Sequence, residues 1–374
     1  MAGKEISPGR LLVREGRIAK VGARIGRPPD AEEIDAGGRL VMPGLIDAHS
    51  HLGMWESMNG FEGSDGNEKT DPVTPHLRAV DAVNPMDITF EEARNAGVTC
   101  VATGPGSANV IGGTFAAIKT AGTRVDDMLV REPVAMKCAF GKNPKSAYDA
   151  KGKAPSTRMA IAAILREALF QALRYEEKIA SAGDDLSKLP DFNMKYEALL
   201  PVLRREIPLK AHAHRTDDMF TAIRIAREFN LRLTLDHATE GHLIADVLAA
   251  ENIPCIVGPS FGHRSKDELR HKSFDTAGAL ARVGVKIAIT TDSPVSPLHS
   301  LPMMAALAVK SGLDRETALR AITVNPAEIL GIDDRVGTLA PGKDADLVIF
   351  DGDPLEIQSR PWKVIVSGRV VYES

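Results

Sequence analysis

The feature that most constrains this chain is the repeated pairing, through its middle, of a short apolar run with a longer stretch of helical periodicity. GVTCVAT at 97–103, VAMKCAF at 134–140, PLKAHAH at 208–214, LRLTLDH at 231–237, IPCIVGP at 253–259 and VKIAITTD at 285–292 have the length and composition of buried strands. MAIAAILREALFQALRYEEKIA at 159–180 is an amphipathic helix, and TDDMFTAIRIAREFN, EGHLIADVLAAEN and SFDTAGALARVG supply further helices. Repeated strand and helix build a parallel sheet through crossovers. The number of units predicts an α/β fold of the (β/α)8 TIM-type barrel class rather than an open doubly wound sheet. No G-x-G-x-x-G follows a strand, which argues against a nucleotide-binding open sheet.

The two ends of the chain have a different texture. RLLVREGRIAKVG and IDAGGRLVMP near the start, and GTLAPGKDADLVIFDGDP and WKVIVSGRVVYES at the finish, are β-branched runs broken by Gly, Asp and Pro. That is hairpin punctuation. The expected organisation is a small β-sandwich made from 1–42 and 334–374, flanking a barrel of 43–333. The short lead before Arg10 leaves little room for a first sandwich strand. Gly53–Pro85 is polar and aperiodic, a long loop that follows the first barrel strand and is expected over the C-terminal face, where barrel active sites are built.

In PGLIDAHSH at 43–51, His49 and His51 stand two residues apart at the end of an apolar run. On a strand both imidazoles point to one side and can reach a common point beyond its end. Neutral imidazole is a favoured ligand for zinc, iron and nickel; a pair of loop histidines on the surface is the other reading. The rest of the chain weighs on that choice. His212 and His214 end PLKAHAH, His237 ends LRLTLDH and Asp292 ends VKIAITTD. All would converge on one barrel mouth. Core strands seldom carry polar residues without partners, so packing does not account for the set. Asp292 could instead cap a helix before SPVSPLHS, but that leaves the histidines unexplained. GPGSANVIGGTFAAIKTAG at 104–122 reads either as a tight glycine hairpin or as a substrate loop. His76, His242, His263, His271 and His299 read as solvated groups, with His263 in GPSFGHRSK the best exception.

PGLIDAHSH, the two later strand-end histidines, the TDS strand end and the closing NPAEILG and VGTLAPGKDADLVIF resemble the amidohydrolase superfamily of metal-dependent hydrolases, and within it the imidazolonepropionase-like branch. The resemblance runs from about Gly16 to the C-terminus. It implies that His49 and His51 bind a more buried metal, His212 and His237 a more exposed one, and that Asp292 contacts the buried metal and the hydrolytic water. It also implies that Lys137, a lysine inside an apolar strand, is carboxylated by carbon dioxide and bridges two ions. The implied cofactors are one or two divalent metal ions, zinc first, with a lysine carbamate in the two-ion case. The implied reaction is hydrolysis of a carbon–nitrogen bond in an amide, cyclic amide or dipeptide-like substrate by a metal-bound hydroxide, with Asp292 as proton shuttle and catalytic residue. His214, Lys142 and His263 are substrate-binding candidates. Where relatives of this branch read GENPK, this chain reads GKNPK, so Lys142 stands in place of an acid and bears on substrate charge. A mononuclear deaminase or cyclic imide hydrolase is the alternative, and a non-catalytic scaffold of the same fold the second.

Composition narrows the partners. The 374 residues carry a net charge of -4, which gives no reason to invoke nucleic acid or an anionic membrane. A small-molecule substrate is expected, with a homo-oligomer possible in principle. Cys100, Cys138 and Cys255 are an odd, scattered set without C-x-x-C spacing, so buried free thiols are expected. No stretch has the apolar length of a membrane span and the N-terminus lacks an apolar leader core, from which a cytoplasmic location is expected.

Overall fold

The structure, a computed structural model, describes residues 5–57 and 59–374. Among them the strands are β1 (Arg10–Arg14), β2 (Arg17–Gly22), β3 (Leu40–Pro43), β4 (Leu45–Ser50), β5 (Val98–Thr103), β6 (Ile111–Lys119), β7 (Leu129–Ala139), β8 (Leu209–Ala213), β9 (Leu233–His237), β10 (Cys255–Val257), β11 (Ile287–Ile289), β12 (Leu347–Phe350), β13 (Pro361–Val366) and β14 (Arg369–Glu373). Strands β4 to β11 lie side by side in chain order as one eight-stranded sheet. Its two edges meet: Thr291 donates its N–H and its hydroxyl to the Asp47 carboxylate at 2.9 and 2.8 Å, and the Thr290 hydroxyl donates to the His49 carbonyl at 2.6 Å. The α/β barrel class is therefore the observed one.

One barrel strand departs from the parallel expectation. β6 runs antiparallel to both β5 and β7, so the segment read as a glycine hairpin or substrate loop is wall from Ile111 to Lys119 and loop on either side of it. The reason it hid is chemical. IGGTFAAIK has few β-branched residues and no alternation, because small residues are needed there: a Cβ on Gly113 would stand 2.4 Å from the Leu77 carbonyl oxygen. Phe115 of this strand fills the barrel interior. Its ring stacks on His49 at 5.3 Å and lies 5.7 and 5.3 Å from the ammonium groups of Lys137 and Lys210, a cation–π setting.

Helices cover the outside. Helix Arg158–Ala182 buries Ile161, Leu165, Leu169 and Ala172, one stripe at the helical period, and its Thr157 cap accepts from the Ala160 N–H at 3.1 Å. At the chain ends, β3 pairs antiparallel with β12, which continues through β13 to β14, while β1 and β2 form a separate hairpin. Leu347, Ile349 and Ile365 make the small core between these sheets, with Leu11, Val41 and Trp362 against it. Residues 1–4 and Met58 lie outside the described residues, so the reading of the N-terminal lead and one position of the 53–85 loop go with them. Among the described residues no helix is long and apolar enough to cross a membrane. All three cysteines are free and buried, and burial pushes the Cys100 and Cys255 thiols up to about 12.

The end sheets are tied to the barrel by Lys119 of β6, buried against Asp346 and 3.0 Å from Asp344, which Arg335 also holds at 2.7 Å. Removing one member of a buried ion pair leaves an uncompensated charge, a cost of about 3–5 kcal/mol. Lys119→Met is expected to lower the urea midpoint correspondingly, whereas Arg124→Ala, whose partners are all exposed, leaves it unchanged. Equal effects from the two substitutions would contradict this view of the tie.

Candidate active site

The strand register assembles the floor of the site. Lys137 of β7 stands opposite Lys210 of β8, and His212 opposite Asp236 of β9. Two ammonium groups side by side in a barrel interior would repel. The Asp236 carboxylate resolves this, with one oxygen 2.7 Å from Lys210 Nζ and the other 3.0 Å from Lys137 Nζ. The oxygen facing Lys137 is also 3.1 Å from His49 Nδ1. All four side chains are fully buried. Burial pushes the Asp236 carboxyl up, but Lys210, His49 and Lys137 outweigh it and hold the group well below the usual carboxylate range. Burial brings the Lys210 ammonium down to about 8 despite Asp236.

Above this floor lie the strand ends. His237 and Asp292 both have left-handed backbone, φ 70° and 53°, a conformation uncommon for non-glycine residues and concentrated at functional sites. The turn at His237 breaks strand alternation, so Asp236 faces the lysines while His237, its neighbour, faces the other histidines. On β4 the register to β5 shifts between Asp47 and Ser50, and Asp47 accepts the His49 N–H at 3.0 Å. The pair at 49 and 51 thus converges through an irregular strand end.

Asp292 Oδ1 is the meeting point, 3.2 Å from His49 Nε2 and 3.2 Å from His51 Nε2; these three groups could hold one metal ion. Their second atoms fix the chemistry of the first. His51 Nδ1 donates to the Gly104 carbonyl at 2.6 Å and His237 Nδ1 to the Gly258 carbonyl at 2.7 Å, while His49 Nδ1 turns to Asp236. Burial lowers His51 below its ordinary value and His237 to about 3, so both rings are neutral. A neutral imidazole that donates from Nδ1 presents a bare lone pair at Nε2. The Nε2 of His51 therefore aims a lone pair at a carboxylate oxygen that His49 Nε2 also approaches. Such a contact is repulsive unless a cation lies among the three. With metal–ligand bonds near 2.1 Å, ligands at tetrahedral angles stand roughly 3.4 Å apart, close to the observed 3.2 Å.

The second group is His212 and His237, whose ring centroids are 4.4 Å apart and whose buried Nε2 atoms have no hydrogen-bond partner. His212 Nδ1 contacts the Ser107 hydroxyl at 2.9 Å. His214 stacks on His237 at 4.9 Å and its Nδ1 contacts the Thr239 hydroxyl at 2.8 Å; burial pushes His212 and His214 well below the ordinary range. His49, His51, Lys137, His212, His214, His237 and Asp292 are thus brought together. Two candidates stand apart. Lys142 opens helix Lys142–Asp149 with its side chain exposed, and His263 is exposed with no hydrogen bond or ion pair from its ring. Of the histidines read as solvated, His271 instead contacts the buried Glu240 at 2.8 Å.

Sequence reasoning missed Lys210, Asp236 and Asp47. A signal existed for each: Lys210 is a lysine two residues before His212 in an apolar run, and Asp236 and Asp47 are acids inside apolar strands. It also missed Trp55 of the 53–85 loop, whose ring meets His51 edge to face at 4.7 Å.

A barrel whose C-terminal rim gathers neutral histidines around an aspartate has the architecture of a barrel hydrolase. The chain belongs to the amidohydrolase family: the family model described as "Amidohydrolase family" matches residues 40–372. The crystal structure of an amidohydrolase from Thermotoga maritima superposes with a TM-score of 0.95 at 43% identity, over 97% of this chain and 95% of that one. An imidazolonepropionase from Mesorhizobium japonicum is 26% identical over 92% of this chain and 87% of its own length. Amidohydrolase tasK of Hapsidospora irregularis is 29% identical over 98% of this chain, which spans 40% of that relative's length. The chain is accordingly an enzyme of the class that hydrolyses carbon–nitrogen bonds.

The depressed histidines set a stability profile. Their folded values lie below the ordinary 6.5, so below that pH the unfolded chain binds more protons and stability falls as pH drops. The loss is roughly 1 kcal/mol per buried neutral histidine for each pH unit below 6.5. Chelator-treated protein is expected to show a urea midpoint that declines steadily from pH 6.5 to 5.5 and changes little between 6.5 and 7.5. A midpoint that rises on acidification would contradict neutral burial.

Proposed function

We propose that this chain is a metal-dependent hydrolase of a small amide-like substrate, an open-chain amide, dipeptide-like compound or cyclic amide. The observation that carries the reading is the convergence of His49 Nε2 and His51 Nε2 on Asp292 Oδ1, each at 3.2 Å. His49, His51 and Asp292 would hold one divalent ion, with zinc suited to two imidazoles and a carboxylate. His212 and His237 would hold a second when Lys137 is carboxylated. The Lys137 ammonium on Asp236 at 3.0 Å favours the one-ion form as a second reading, the arrangement of a mononuclear deaminase or cyclic imide hydrolase. A bound divalent ion supplies acidity to water and polarises a carbonyl.

The remaining work falls to the protein's own groups. Burial pushes the Asp292 carboxyl up, yet His237, His49 and His51 outweigh it and hold the carboxyl well below its usual range. It therefore enters the reaction as a base. Oδ1 is taken up by the two histidines, while Oδ2 stands 3.9 Å from His237 Nδ1 on a side chain that keeps some exposure. Oδ2 would accept the proton of the attacking water and return it to the departing nitrogen. Asp236 fixes the His49 tautomer, and Gly104 and Gly258 fix those of His51 and His237. We also propose that 1–42 and 334–374 form one small β unit bracing the barrel of 43–333.

Metal analysis tests the reading. Protein purified with zinc is expected to retain one equivalent, or two with bicarbonate present, and His49→Ala to retain less than half of it. Asp292→Asn is expected to lower kcat by about 10²–10⁴-fold on any amide that wild type turns over. Stoichiometric activity in fully chelated protein would contradict the proposal.

A further inference from the structure

The other end of the barrel holds a cavity that the reaction does not use. It has a volume of about 480 Å³ and lies beneath the N-terminal ends of β8 to β11, with further walls from helix Thr216–Glu228 and helix Val324–Leu330. Reacting groups of such barrels are built at the opposite, C-terminal rim. The size falls within the range of small-ligand pockets, about 300–1,000 Å³. One part of the wall is apolar, made by Ile223, Leu231, Ile253 and Ile329. Thr234 of β9, two residues before Asp236, also lines it. The Thr234 side chain is 4% exposed and, among the described residues, its hydroxyl has no hydrogen-bond partner. Burying an unpaired hydroxyl is costly, and the adjoining cavity is where a partner can enter.

The rest of the wall is charged, and its charges do not cancel. Arg205, Arg227, Arg232 and Lys286 line it against only two acids, Glu251 and Glu328. Both acids are already matched: Arg227 Nε donates to Glu251 at 2.9 Å, and Lys286 stands 2.7 Å from Glu328. Among the described residues neither Arg205 nor Arg232 has an acidic partner. Arg205 Nη1 donates to the Asn230 carbonyl and Oδ1 at 2.8 and 2.7 Å, and Arg232 Nη1 to the Arg205 and Glu206 carbonyls at 3.5 and 3.2 Å. Each guanidinium is thus oriented through one nitrogen by neutral oxygens. Its Nε and Nη2 edge stays available, the kind of edge that grips a phosphate or carboxylate with two parallel hydrogen bonds. Arg205 also has left-handed backbone, φ 62°, where the next two loops use Asn230 and Asn252, both at φ 53°. Asparagine tolerates that conformation better than arginine does, so the turn itself does not call for an arginine. Two unmatched positive charges suit a phosphate monoester, which carries roughly -1.5 to -2 at neutral pH, and the apolar wall suits its carbon portion.

We propose that this cavity is a second binding site, separate from the hydrolytic centre, for a small organic phosphate monoester. Arg205 and Arg232 take the phosphate, and Ile223, Leu231, Ile253 and Ile329 take the organic part. The site stands on its own cavity and charges and does not need the hydrolase reading.

Calorimetry on zinc-loaded protein tests it, with phenyl phosphate, adenosine monophosphate, inorganic phosphate and uncharged adenosine as probes. One ester per chain is expected to bind, more tightly than inorganic phosphate, with adenosine not bound. Arg232→Gln and Arg205→Asn should each weaken the esters about tenfold while leaving zinc content and urea midpoint near their wild-type values. Both side chains are exposed, and asparagine suits the left-handed turn. Arg174→Gln, exposed on helix Arg158–Ala182, should change nothing. Ester affinity is expected to be the same in chelator-treated protein, which separates this cavity from a metal at the barrel mouth. Ester binding that disappears with the zinc, that survives both arginine substitutions unchanged, or that adenosine matches overturns the proposal, as does the absence of binding at millimolar ester. Inorganic phosphate bound as tightly as the esters overturns the part assigned to the apolar wall and reduces the site to one for the free anion.

Discussion

The buried Asp236 carboxylate is the interaction on which the rest depends. It stands between Lys210 and Lys137 and beneath His49, with no part of it exposed. Without it two lysine ammonium groups would share a barrel interior with only the Ala48 carbonyl and the Phe115 ring beside them, a burden of several kcal/mol per ion. With it the interior carries a charged layer that is satisfied on one side and oriented on the other. Its contact with His49 Nδ1 turns the Nε2 edge of that ring toward Asp292. The buried ion cluster and the orientation of the His49 ring are thus set by the same contact.

Two local departures from regular structure deliver the other groups. Left-handed backbone at His237 lets adjacent residues face inward at different heights, one to the lysines and one to the histidines. The same conformation at Asp292 carries its carboxylate across to His49 and His51. Such residues cost about 1–3 kcal/mol each and persist only where neighbours over-determine them; here the Gly258 carbonyl on His237 and the Thr290 hydroxyl on the Asp292 N–H, at 2.7 and 3.1 Å, do so. Thr291 and Asp47 lock the two barrel edges together one layer below. Thr290 serves both ends: its hydroxyl accepts the Asp292 N–H and donates to the His49 carbonyl across the barrel seam.

Much of this was legible in the sequence because it follows from residue type and period. Apolar runs such as VAMKCAF and LRLTLDH are strands, and the residues at their ends meet, as parallel barrel strands require. What hid had physical cause. Strand β6 hid because its small residues answer to close packing against Leu77, not to alternation. The Asp236 cluster hid because its members are far apart in sequence and each looks like an isolated anomaly until the register aligns β7, β8 and β9. His263 in GPSFGHRSK attracted notice for its ring and proves to be exposed.

A lone pair and a carboxylate oxygen opposed at the barrel mouth would be reconciled by a cation. Zinc-edge X-ray absorption of protein loaded with zinc and freed of excess metal tests it most directly. The expected spectrum has a first shell of nitrogen and oxygen at about 2.0–2.1 Å with the outer-shell scattering of at least two imidazole rings, lost in His49→Ala together with His51→Ala. Zinc that washes out, or that keeps an all-oxygen shell without imidazole scattering, would contradict it.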